Sequence, residues 1–224
     1  HRNDMLDVRL RDLVQQGNVT RANMVEAMGD AAVVDLRGQE VLPKALALLQ
    51  STPVTGDEAS VVEMMQAWVD GGAYRRDRDG DGEYDAQAEV ALMDAWYTRM
   101  IETLLPQVTA LEDTTAGNVS LVGRDNAPGA GGSAYQNGYY GYLERVLEQA
   151  LGNSARPYQR LRCADSDRAE VCRAALAESL TLALDDLGGL ANRDNWDVDE
   201  SLDAIQHRAI GLSSGPAIHW QNRP

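Results

Sequence analysis

Apolar residues recur with a helical period along most of this chain. Met5, Val8, Leu10, Leu13 and Val14 trace a stripe that stops at Gly17, which predicts a first helix. Thr20, three residues before Asn23, is a good N-cap for a second helix, whose apolar face runs through Met24, Val25 and Met28. Pro43, ahead of "KALALLQ", predicts a new helical turn or a kink. "DEASVVEMMQAWVDGG" predicts a helix with Val61, Val62, Met65 and Val69 on its apolar side and Gly71 and Gly72 at its end. "AQAEVALMDAWYTRMIETLLPQV" reads as a long amphipathic helix reaching about Pro106, and "YLERVLEQALG" and "RAEVCRAALAESLTLALDDLG" return to the same period. Met24, Met28, Met64 and Met65 fall on helical apolar faces and are read as core fillers.

Between these helices, residues 113–141 are rich in Gly, Asn and Ser and predict a long irregular connection. In the cluster "AYQNGYYGYLERVL", Tyr135, Tyr139, Tyr140 and Tyr142 are read as rings tucking the loop onto the core, with an aromatic ligand-facing loop as the alternative. From Asn192 onward the signals are mixed and strand-poor, with His207 in a helix-like stretch. The expected fold class is therefore mainly α, one helical region over 1–224, with no repeat of fixed period.

Composition narrows the functional classes. A 44% hydrophobic share over 224 residues supplies a real core and excludes a disordered chain. The formal charge of -15 repels phosphate backbones, so nucleic acid is not an expected partner. No apolar run is long enough to span a membrane, and "HRNDMLDVRL" is no signal peptide. A chain opening on His1 is expected to be processed or excised. Cys163 and Cys172 flank a short polar loop without a further Cys or nearby His, which suits a disulfide better than zinc and implies an oxidising, secreted setting; two free buried thiols are the alternative.

The candidate chemistry lies in "RRDRDGDGEYD", residues 75–85, between two predicted helices. In a helix-loop-helix calcium loop, positions 1, 3 and 5 give carboxylates, position 6 is a turn glycine, position 7 gives a carbonyl and position 12 a bidentate glutamate. Asp77, Asp79 and Asp81 take the first three and Gly82 the sixth; Glu83 would offer its carbonyl and Asp85 stands at position 9. Ala88 stands at position 12, with Glu89 one residue late, so the closing carboxylate is missing. Crowded aspartates repel one another until a divalent cation is bound, and hard oxygen ligands suit Ca²⁺; the plain alternative is a solvated acidic turn. His1, His207 and His219 belong to no metalloprotease or triad motif, and Ser133 lacks the frame of a nucleophile elbow.

Four segments in order, "AWVDGGAYRRDRDGDGEYDAQAEVALMDAWYTRMI", "NGYYGYLERVLEQALG", "RCADSDRAEVCRAAL" and "DAIQHRAIGLSSGPAIHWQNRP", resemble the C-terminal part of actinobacterial members of the penicillin acylase family. The opening "RNDMLDVRLRDLVQQGNVTRANMVEAMGDAAVVDLRGQEVLP" resembles the segment that follows that family's catalytic asparagine. The resemblance implies the C-terminal helical portion of an N-terminal-nucleophile (αββα) hydrolase, cut from a precursor into α and β chains. It implies amide hydrolysis of a small N-acyl substrate by an N-terminal serine, with its own α-amino group as base and an asparagine and backbone N–H groups holding the oxyanion. That serine lies outside these residues, so activity is expected only with the α chain and the N-terminal part of the β chain. Arg2, or Arg9 if the register slips, matches a family arginine near the active site, in a supporting role. The competing expectation is a non-catalytic, calcium-stabilised helical structural or interaction domain.

Overall fold

The computed structural model describes residues 2–105, 140–153, 169–198, 205–207 and 218–220. The chain is mainly helical: α1 Arg2–Gln15, α2 Arg21–Val33, α3 Leu36–Glu40, α4 Leu42–Leu49, α5 Gly56–Asp70, α6 Gln87–Leu104, α7 Tyr140–Ala150 and α8 Ala169–Asp186, then a 3₁₀ turn over Leu190–Asn195. Strands β1 Ile205–His207 and β2 Ile218–Trp220 form an antiparallel pair, His207 opposite Ile218. His207 is thus on a strand and not in a helical stretch. A three-residue strand is too short to announce its period of two in a sequence.

Local chemistry explains the boundaries. The Thr20 hydroxyl accepts from the Asn23 N–H at 3.1 Å, capping α2 as its spacing predicts. Pro43 falls in the first turn of α4, where the missing N–H costs no hydrogen bond. Asp35 breaks the run between α2 and α4 by capping α3, its carboxylate accepting from the N–H groups of Arg37 and Gly38. Tyr140 and Gly141, placed by sequence in the long connection, already belong to α7; residues 113–139, with Ser133, Tyr135 and Tyr139, lie outside the described residues.

The core forms where α4, α5, α6, α7 and α8 meet, with α6 lying along α8 as its most extensive contact. Leu42, Leu46, Met65, Leu92, Trp96, Met100, Leu147 and Leu176 are buried there. The indole of Trp96 donates to Ser179 Oγ at 2.8 Å, and that hydroxyl donates to the Leu176 carbonyl at 2.6 Å, so this fully buried indole brings no unpaired polar atom with it. Arg99 of α6 grips Asp186 of α8 through two parallel hydrogen bonds of 2.7 and 2.8 Å, and this lowers the pKa of the Asp186 carboxyl. Tyr140 and Tyr142 pack partly buried against this core.

Helices α1 and α2 pack on each other as a hairpin at one side of this body. Here the methionine assignment divides. Met65 is buried and Met64 packs against the core, but Met24 and Met28 are 43% and 58% exposed and Val25 is 63% exposed. The buried positions of α2 are Ala27, Ala31 and Val33. Small residues let α2 lie close to its neighbours, which turns the Met24–Met28 face outward, so those two methionines are not core fillers.

Candidate functional site

The acidic loop begins from a tightly held base. After α5 ends at Gly71, the chain doubles back along the residues preceding α3: Asp35 N–H donates to the Ala73 carbonyl and Arg75 N–H to the Val33 carbonyl, both at 2.8 Å. The indole of Trp68 donates to the Tyr74 carbonyl at 3.1 Å. Ala73 is fully buried at φ 50°, a left-handed conformation rare for a residue with a side chain. A Cβ on Gly38 would meet the Ala73 Cβ at 2.6 Å, so only glycine allows this close approach.

Four buried or part-buried charges lock that base. Asp35 and Arg37 are completely buried and Arg75 nearly so. Arg37 Nη2 donates at 2.6 Å to both Asp35 Oδ2 and Asp94 Oδ1, while Arg75 donates to Asp94 at 2.9 and 3.0 Å and reaches Asp35 at 3.3 Å. Arg37 lies over the ring of Tyr97 and Arg75 over that of Tyr84. Two guanidiniums against two carboxylates leave the cluster neutral. Burial raises the Asp94 pKa, but the Arg75 and Arg37 guanidiniums outweigh it, and the net displacement is downward from 3.8. Sequence reasoning passed over this cluster. Its one signal was a charged pair, Asp35 and Arg37, set within the apolar run "AAVVDLRGQEVL".

From this base the loop folds around Asp77, which is only 6% exposed. Its carboxylate accepts from the N–H groups of Gly80 at 2.6 Å and Gly82 at 3.3 Å, and both glycines have positive φ, which the sharp turn demands. Asp77, Asp79 and Asp81 each bring a carboxylate oxygen within 4.8 Å of the other two, the only such acidic group among the described residues. The chemistry available here is capture of a hard cation.

The remaining predicted ligands behave differently. Asp85 turns to Arg78, accepting from its N–H at 3.0 Å, and the Asp85 N–H donates to the Arg76 carbonyl at 2.7 Å, closing the neck of the loop. The Glu83 side chain is exposed and stands outside the aspartate group, and Glu89 lines a separate cavity. Arg9, the alternative to Arg2, is occupied within the fold: it donates to the Met5 carbonyl at 2.9 Å and to the Tyr74 hydroxyl at 3.3 Å. Arg2 lies in the first turn of α1, with its side chain outside the description. Cys172 is buried in α8; Cys163 lies outside the described residues. No helix among the described residues is long and apolar enough to cross a membrane. No protein-family model matches the chain, and no curated protein matches it either.

Proposed function

We propose that this chain is the C-terminal helical portion of the β chain of a secreted, penicillin-acylase-type N-acyl amidohydrolase, stabilised by calcium in its acidic loop. The observation that carries this reading is the order of resembling segments along the chain, from the "AWVDGGAYRRDRDGDGEYD" stretch through "HWQNRP". The first of those segments makes the end of α5, the aspartate loop and most of α6, and part of the third lies in α8 against α6. In this reading the nucleophilic serine, its α-amino base and the oxyanion-binding asparagine belong to other segments of the same precursor. This chain contributes scaffold, with Arg2 in a supporting role near the acyl site and a Cys163–Cys172 bridge tying the start of α8.

Purifying the native protein and sequencing its chains tests the assignment. A co-purifying chain with an N-terminal serine, N-acyl amide hydrolysis by the assembly and none by the 224-residue chain alone are the expected results. Robust hydrolysis by the isolated chain would refute it, and a chain that is always found alone would favour the non-catalytic calcium-stabilised domain. Calcium is tested separately. At about a hundredfold excess over its Kd it adds about 2.7 kcal/mol of stability; chelation is expected to lower the Tm and Asp79→Ala to remove that response. An unchanged Tm eliminates the calcium site without touching the amidohydrolase assignment.

A further inference from the structure

Helices α1 and α2 pack extensively on each other and on no other helix among the described residues. The buried residues of α2, Ala27, Ala31 and Val33, lie outside the apolar core that joins α4 to α8. Something other than a shared core must therefore fix the hairpin to the body. At the root of α2 this is the two-bond backbone bridge between Val34 and Tyr74, made by the N–H groups of Asp35 and Arg75.

Farther out, the Tyr74 side chain holds both helices. Tyr74 itself belongs to the body: its carbonyl accepts from the Trp68 indole, and its ring lies so close over Gly72 that a Cβ there would meet a ring carbon at 2.3 Å. Arg76 lies 4.1 Å from the centre of that ring and donates to Asp30 of α2. Arg9 of α1 lies 5.7 Å from the same centre and donates to the Tyr74 hydroxyl at 3.3 Å. These contacts are polar and within reach of solvent, the Arg76 and Asp30 side chains being 14% and 30% exposed, so each contributes little and is screened by salt. The seam is also not closed. A groove of about 280 Å³ runs along it, with Val25, Glu26, Gly29 and Asp30 on the hairpin side and Arg76 and Arg78 on the other.

We propose that the hairpin is a hinged flap: α1 and α2 leave the body as one unit about the Val34–Tyr74 bridge while the body stays folded, and Arg9, Tyr74, Arg76 and Asp30 are the latch that keeps it closed. Elements with few buried apolar contacts to the rest of a protein open at a lower free energy than its core. Once detached, helices of 14 and 13 residues with no core behind them are marginal in water, so each opening exposes their amides to exchange. Neither the amidohydrolase assignment nor calcium is needed for this.

Amide hydrogen exchange on the full chain, with any co-purifying chains, tests the flap. The central amides of α1 and α2 are expected to share one opening equilibrium and to exchange about tenfold or more faster than the central amides of α4 and α6. Arg76→Gln should raise the opening of both hairpin helices about three- to tenfold and leave α4 and α6 unchanged, with Arg9→Gln acting in the same direction. Raising NaCl from about 0.1 to about 1 M should move the unaltered protein the same way, and the Arg76→Gln variant less. Hairpin amides that exchange only together with those of the body, α1 and α2 opening with different equilibria, or an Arg76→Gln variant with unchanged hairpin exchange would overturn the proposal. If Arg76→Gln also loosens the body, the salt series on the unaltered protein decides, and hairpin exchange indifferent to salt overturns the latch.

Discussion

The N-terminal hairpin and the body beyond it bear the same mark in sequence and meet opposite fates. Both are written with apolar residues at helical spacing, yet Leu46 and Met65 of the body are buried while Val14, Val25 and Met28 of the hairpin face solvent. Periodicity reports that a helix has an apolar face; it does not report that anything covers it. The body closes because α4 to α8 bring several faces to one centre. In the hairpin the buried positions of α2 are Ala27, Ala31 and Val33, while Val8 and Val14 of α1 and Val25 and Met28 of α2 stay outside.

The contrast can be broken most forcefully at the charges, a cluster within the body and a pair that fastens α2 to it. Arg37→Ala leaves Asp35 and Asp94 to Arg75 alone, with one buried negative charge in excess, and is expected to cost about 3–5 kcal/mol in denaturant unfolding. Asp30→Ala breaks the more exposed Arg76 pair that fastens α2, and its cost should stay within about 1 kcal/mol. Equal losses would mean that the hairpin is as integral as the body. Truncations come next: Leu46→Ala should cost about 2–5 kcal/mol, and Met28→Ala within about 0.5 kcal/mol in the isolated chain. A Met28 loss that emerges only when other chains are present would locate a covering surface. The smallest effect is expected from pH. Because the folded-state pKa of Asp94 is lowered, its contribution is complete above about 3.8 and is lost as pH falls through the folded value below that. Asp94→Asn should therefore flatten the acid limb of the stability curve below pH 3.8 and leave its shape at neutral pH alone.

Most helices were legible because their signals are local: the Thr20 cap, Pro43 at the head of α4, the glycines closing α5. The aspartate triad was legible for the same reason, since Asp77, Asp79 and Asp81 meet within five residues of chain. The ion cluster was not, because Asp35 and Arg37 acquire Arg75 and Asp94 only when the chain doubles back, and no short window holds all four. The outward methionines were misread because burial depends on what packs alongside, and alanines do not advertise themselves as an interface.

Arg75, Arg76 and Asp77 are consecutive, and each serves a different neighbour: the ion cluster, Asp30 of α2, and the turn around the aspartates. This makes the segment intolerant of changes in length rather than only of changes in chemistry. One residue added or removed between 75 and 77 would shift all three side chains by a position and disconnect hairpin, body and loop together. The same change among the exposed residues 78–81 would disturb the loop alone.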